Sequence, residues 1–138
     1  MTSKAIVLDA NILIRAVLGT RVRELILAYA TTVKFFAPTV AYEDARRYLP
    51  GLLEKRGVCG EGALAVLDSL EAVVQQVDEE LYVPLRQQAI QRIGMRDIDD
   101  WPVLACAMSL GCPVWTEDAD FFGTGVPIWT TDRVNLYF

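Results

Sequence analysis

Short apolar runs that stop at a carboxylate set the strongest limit on how this chain can fold. Ala5-Ile6-Val7-Leu8 is followed at once by Asp9, and Pro113-Val114-Trp115-Thr116 is followed two residues later by Asp118. Runs this brief, rich in Val, Ile and Trp, suit strands buried on both faces of a parallel sheet. A carboxylate at the mouth of such a strand is costly unless a cation meets it. The chain has no histidine, and no basic residue stands beside Asp9 or Asp118. The simplest cation is then a hard metal ion gathered by several carboxylate oxygens.

Between these runs the spacing turns helical. Asp9-Ala10-Asn11 opens a helical pattern through Ile12, Leu13, Ala16 and Val17 that Gly19 closes, and Arg21 to Tyr29 repeats it. Val33 to Ala37 reads as a second strand ended by Pro38. Thr39 to Tyr48 reads as a helix carrying Glu43, and Pro50-Gly51 is expected to interrupt it. Glu61 to Leu70 is helical, Val73 to Val77 a third strand, and Leu81 to Ile93 a further helix. A polar loop, Met95 to Asp100, leads into a helix closed by Gly111. Pro113 to Thr116 and Ile128 to Thr130 supply the last strands. Alternating strands and helices predict a parallel sheet wound by helices on both faces. Ligands bind beyond the carboxyl ends of such strands, where Asp9 and Asp118 stand.

A length of 138 residues, 53% of them hydrophobic and 22% charged, predicts one well-packed domain over residues 1–138. No apolar run approaches the roughly 18 residues of a membrane span. Met1-Thr2-Ser3-Lys4 leads into a strand without the apolar stretch of a secretory signal, so a cytoplasmic protein is expected. Cys59, Cys106 and Cys112 lack paired metal-site spacing and read as reduced core or near-core residues. A net charge of −5 argues against a broad, sequence-independent grip on nucleic acid. It leaves a nucleic-acid substrate open, because bound metal would neutralise some acids and the cations are locally grouped, as at Arg21, Arg23, Arg46, Arg47, Lys55 and Arg56.

Metal-assisted phosphodiester hydrolysis needs convergent carboxylates, and neither histidine nor cysteine. The absence of histidine leaves no histidine-based ribonuclease mechanism and no Ser-His-Asp triad. Four segments carry the acids in order: Val7-Leu8-Asp9-Ala10-Asn11-Ile12-Leu13; Glu43; Asp100-Trp101-Pro102-Val103-Leu104-Ala105-Cys106-Ala107; and Pro113-Val114-Trp115-Thr116-Glu117-Asp118-Ala119-Asp120-Phe121. Together they resemble the acidic motifs of PIN-domain ribonucleases, a group that includes the VapC-type toxins of toxin–antitoxin pairs. The resemblance spans nearly the whole chain and implies a three-layer α/β/α sandwich around a central, mostly parallel sheet. It implies a metal-dependent endonuclease that cleaves single-stranded RNA. Asp9, Glu43, Asp100 and Asp118 are implied as the catalytic acids that hold Mg²⁺ or Mn²⁺, with Asp120 a further metal acid and Asn11 and Thr116 supporting polar neighbours. A small antitoxin partner and a homodimer are implied in the same way. The chain departs from the family pattern in its extra loop acids, Asp97 and Asp99, and in Trp101-Pro102.

Each acid also has a plainer reading. Asp9 suits a helix N-cap, Asp100 a helix start before Trp101-Pro102, Glu43 a partner for Arg46 or Arg47, and Asp118 and Asp120 turn positions. Independent caps would scatter over both ends of the sheet, whereas these acids gather at one, which favours metal. Asp97 and Asp99 read as solvated loop acids, Asp99 in a supporting place. Arg46 and Arg47 are candidate RNA contacts on what is otherwise a solvated helix face. Two other classes compete: an inactive PIN-like module that binds RNA or protein, and a phosphoacceptor receiver domain. The receiver requires a second acid in the first strand–helix loop, where Ala10-Asn11 stands, and a lysine after the last strand. The closing Asn135-Leu136-Tyr137-Phe138 resembles a protease-tag remnant and is given no functional weight.

Overall fold

The computed structural model describes residues 4–58 and 60–138. The expectations for Cys59 and for Met1-Thr2-Ser3 concern residues outside these. Five strands form one sheet: β1 (Lys4–Leu8), β2 (Val33–Pro38), β3 (Val74–Val77), β4 (Val114–Trp115) and β5 (Ile128–Trp129). The order is β3-β2-β1-β4-β5 and every pairing is parallel. The chain builds outward from β1 through β2 to β3, then crosses back to add β4 and β5 on the other side. Strand order therefore reverses at β1 and β4, which makes the space beyond their carboxyl ends the natural binding crevice.

Alternation along β1 distributes the core between two layers. Ile6 and Leu8 pack with helices α1 (Ala10–Leu18), α2 (Arg21–Ala28), α3 (Thr39–Lys55) and α4 (Gly60–Leu70). Val7 faces the other layer, made by α5 (Glu79–Tyr82), α6 (Arg86–Ile93) and α7 (Trp101–Leu110). Val114 and Trp115 divide in the same manner, Val114 toward α5–α7 and Trp115 toward α1–α4. The expected three-layer sandwich is what forms, with the sheet parallel throughout. Consecutive residues Pro102 to Ala107 of α7 are buried, as a helix wedged against a sheet and two neighbours requires. Gly111 ends that helix at φ +65°, a left-handed turn that returns its N–H to the Ala107 carbonyl.

Two prolines behave differently. Helix α3 continues through Pro50 to Lys55, contrary to the expected break at Pro50-Gly51. Leu49 and Leu53, on either side, are 0% and 5% exposed. Burying two leucines at about 1.5–3 kcal/mol each offsets the roughly 3 kcal/mol that an interior proline costs. The expected helix from Leu81 to Ile93 does divide, into α5, a 3-10 turn at Val83–Leu85, and α6. Tyr82 is buried, but Val83 and Gln87, which stand to Pro84 as Leu49 and Leu53 stand to Pro50, are exposed, so no comparable burial holds the helix through that proline.

Of the tail set aside in the sequence, Asn135 and Leu136 are exposed, while Tyr137 and Phe138 are half-buried and pack against the core. The Phe138 ring meets Tyr29, Phe35 and Trp115 at centroid distances of 4.8, 5.6 and 5.9 Å, and the Tyr137 hydroxyl donates to the Ala5 carbonyl at 2.8 Å. Cys106 and Cys112 are buried free thiols, pushed up by burial to about 12 and about 11. Phe35, Trp115 and Phe121 are core, whereas Phe122 is 52% exposed. Among the described residues no helix is long and apolar enough to cross a membrane.

Candidate metal centre

Asp9 is the first residue beyond β1 and the N-cap of α1, so one side chain meets two demands. Its Oδ1 accepts the Ile12 N–H at 3.0 Å, and its Oδ2 accepts a hydrogen bond from the Thr116 hydroxyl. Thr116, wholly buried at the end of β4, also accepts the Asp118 N–H on Oγ1 at 2.9 Å. One threonine thus couples the two strand-end acids across the switch point. Asp9 is only 6% exposed, and burial pushes its carboxyl up to about 6 despite the hydrogen bonds from Thr116 and Ile12, with Asp118 and Glu117 adding repulsion.

Asp100 reaches the same crevice from the other layer. It precedes α7 but makes no side-chain cap, and its buried Oδ2 has no hydrogen-bond partner among the described residues. Asp100 does stand at the start of α7, as its plainer reading has it, but its side chain caps nothing there; Asp97 caps the preceding turn Ile98–Asp100, accepting the Asp99 N–H at 3.1 Å. Burial first, then Asp97, Asp118 and Asp9, push Asp100 up to about 8. A buried carboxylate oxygen without a donor, set among like charges, is an environment that a divalent cation would fit.

Carboxylate oxygens of Asp97, Asp100, Asp118 and Asp120 all lie within 4.8 Å of one another, each residue half-buried. The Asp120 N–H donates to Asp118 Oδ1 at 2.9 Å, which folds the β4 loop back so that both acids share one side. An all-oxygen set of this kind suits Mg²⁺ or Mn²⁺, not zinc or a soft metal. Asp97 is the residue that sequence reasoning missed, having been read as a solvated loop acid. Asp97 is the extended cap of the turn Ile98–Asp100, and its carbonyl accepts the Asp100 N–H at 3.2 Å, which keeps the two acids together on one short loop.

The remaining candidates stand around this group. Glu43 is exposed on the wall of a cleft of about 890 Å³ that Asp97, Asp99 and Asp100 also line, outside the close group of four. Asp44, the next residue, lines that cleft and also a small cavity shared with Asp9, Asp100 and Asp118. Asn11 lines both as well, and Asp99 is exposed at the rim. Glu43 has neither expected arginine. Arg47 lies 3.9 Å from Asp44 and lines the cleft, while Arg46 is bound to Asp68 at 3.1 Å and to Glu71, with its guanidinium over the Tyr42 ring. Of the two candidate RNA contacts, only Arg47 faces the cleft. The pairing of Arg46 joins residues 22 and 25 positions apart and left no local trace in the sequence.

A small doubly wound α/β domain with carboxylates converging at its switch point is the class that fold and site define. The PIN-domain family profile matches residues 7–138, and the chain belongs to that family. Among solved structures it is similar to VapBC2 from Rickettsia felis bound to a promoter DNA fragment, with a TM-score of 0.68 at 13% identity over 91% of this chain and 98% of that one. It is likewise similar to DNA-bound VapBC from Salmonella typhimurium, with a TM-score of 0.66 at 16% identity over 94% and 99% of the two chains. FitAB bound to an IR36 DNA fragment gives 0.57 at 18% identity over 91% and 94%. At such identities the likeness is one of fold. No curated protein matches the sequence.

Proposed function

We propose that this chain is a divalent-metal-dependent endoribonuclease acting on single-stranded RNA, the toxin of a type II toxin–antitoxin pair. The observation that carries the reading is the buried Oδ2 of Asp100, without a partner among the described residues, within a group of four convergent aspartates. Membership of the PIN family and likeness in fold to VapBC complexes support it.

In this reading Asp9, Asp100 and Asp118, with Asp97 and Asp120, hold Mg²⁺ or Mn²⁺, and Glu43 serves from the cleft wall. A bound divalent ion would lower the pKa of water and offset the charge that develops on phosphate oxygens. Thr116 fixes the direction of Asp9, so that the Asp9 carboxylate enters the site in one orientation. Asp9 and Asp100, both pushed up, give up protons when a cation binds, so binding strengthens as pH rises. Arg47, free of the pairing that holds Arg46, supplies positive charge to a phosphate entering the cleft. The products expected are 5′-phosphate and 3′-hydroxyl ends. A small antitoxin occupying the cleft, a homodimer and a cytoplasmic setting complete the proposal.

The test is cleavage of defined single-stranded RNAs by the purified chain in Mg²⁺, in Mn²⁺ and in excess EDTA. Activity is expected with either ion and none with EDTA. Asp9→Asn is expected to cleave on the order of 100-fold more slowly, as when one charge-stabilising group is lost, while unfolding at the same or a higher temperature. Equal cleavage in EDTA would overturn the metal reading. Mn²⁺ binding without cleavage of any RNA would instead favour a binding module.

A further inference from the structure

The close group of acids is assembled from two separate loops, one after α6 carrying Asp97 and Asp100, the other after β4 carrying Asp118 and Asp120. Like charges at this range push those loops apart, so something must hold them in place before any cation arrives. Arg96, beside Asp97, spans the gap. Its Nε donates to the Ile93 carbonyl at 3.0 Å and Nη2 to the Arg92 carbonyl at 3.1 Å, which fixes the guanidinium on the last turn of α6. Its Nη1 donates across to the carbonyl of Phe122, two residues beyond Asp120. Arg92 adds a second tie, Nη1 to the Thr124 carbonyl at 3.3 Å. Gly125 leaves the space for it, since a Cβ at that position would stand 3.1 Å from Arg92 Nη1. Neither arginine forms a salt bridge with a carboxylate among the described residues.

We infer that Arg96 is a positioning residue, a strut whose planar guanidinium sets the distance between the Asp97/Asp100 loop and the Asp118/Asp120 loop and thereby tunes metal affinity. The inference rests on the metal reading proposed above. Three donors in a rigid fork reach three carbonyls at once, which a lysine ammonium on a flexible stem does not reproduce. Groups that hydrogen-bond metal ligands directly govern affinity by about 10–100-fold; Arg96 holds only backbone carbonyls beside the two ligand-bearing loops, so its effect belongs at the lower end of that range.

The sign of the effect separates a strut from mere charge. A guanidinium near a divalent cation repels it, so by field alone Arg96→Ala would bind Mn²⁺ more tightly. The strut requires weaker binding. Mn²⁺ affinity is to be measured by calorimetry on the full chain, wild type beside Arg96→Ala and Arg96→Lys, with metal-free thermal unfolding as the check on folding. Both variants are expected to bind Mn²⁺ about tenfold more weakly, and to recover the wild-type cleavage rate at saturating Mn²⁺. Arg96→Lys keeps the charge and serves if Arg96→Ala does not fold. Unchanged or tighter binding in a folded variant overturns the strut, as does a rate that stays low at saturating metal, which would mark contact with substrate. If the wild type itself binds no Mn²⁺, it is the metal reading that fails.

Discussion

Thr116 shows how much of this site depends on one neutral side chain. Its hydroxyl gives its proton to Asp9 and accepts the Asp118 N–H, so the Asp9 carboxylate cannot turn, nor the Asp118 backbone shift, without losing a bond. Thr116→Val keeps the shape and removes both interactions, leaving Asp9 Oδ2 and a backbone donor unpaired in a buried place. A loss of about 1–3 kcal/mol in stability is expected, with Asp9 pushed further above its ordinary range, while Thr116→Ser should restore most of both. Chemical denaturation of the metal-free variants measures this, and a valine variant as stable as wild type would mean that the hydroxyl orients nothing. At this scale the sequence was informative where acids follow strands, since Asp9 and Asp118 need only the strand to end in order to be placed. It was poor where placement depends on a turn or a distant partner. Asp97 joins the group through a 3-10 turn, and Arg46 leaves the cleft through Asp68 and Glu71. Glu43, one residue from Asp44, sits on the wall because helix α3 turns its neighbour inward.

Helices and strands were legible where a period repeats without an interior proline, and the segments around Pro50 and Pro84 show why that limit exists. Pro50 and Pro84 carry the same local penalty, and only the burial of flanking residues, a tertiary property, decides which helix survives. Leu49 and Leu53 are buried about Pro50, whereas Val83 and Gln87, in the same places about Pro84, are exposed. The consequence can be measured. Pro50→Ala restores the N–H that an uninterrupted α3 lacks and relieves the ring clash with the preceding turn, so the chain is expected to gain up to about 3 kcal/mol. Pro84→Ala should change stability by much less, because the turn it occupies is not helix interior. Thermal unfolding of the two variants side by side tests the contrast, and a destabilised Pro50→Ala would show that the proline bend itself fits the α1 and α4 packing.

The whole molecule holds acids together that would separate if free, and its pH response follows. Strand order reverses at β1 and β4, and both layers close on that point, so Asp9 and Asp100 are pushed to about 6 and about 8 from an ordinary 3.8. Between pH 4 and 8 the native state therefore keeps protons that the unfolded chain releases. The stabilising contribution of these groups is full below about pH 4 and is lost as pH rises through 6 and then 8. The EDTA-treated chain is thus expected to unfold at a lower temperature at pH 8 than at pH 5. Asp9→Asn/Asp100→Asn should flatten that slope, which isolates these two groups from every other titrating residue. Mn²⁺ reverses the direction, because it binds the deprotonated acids: at 100 times its dissociation constant it adds about 2.7 kcal/mol, and that constant tightens as pH rises. Thermal unfolding across pH, with Mn²⁺ and with EDTA, reads both trends. If the double variant followed the wild-type curve in EDTA, the raised carboxyls would not govern the response; if Mn²⁺ stabilised the wild type equally at pH 5 and pH 8, the ion would be held by acids other than these.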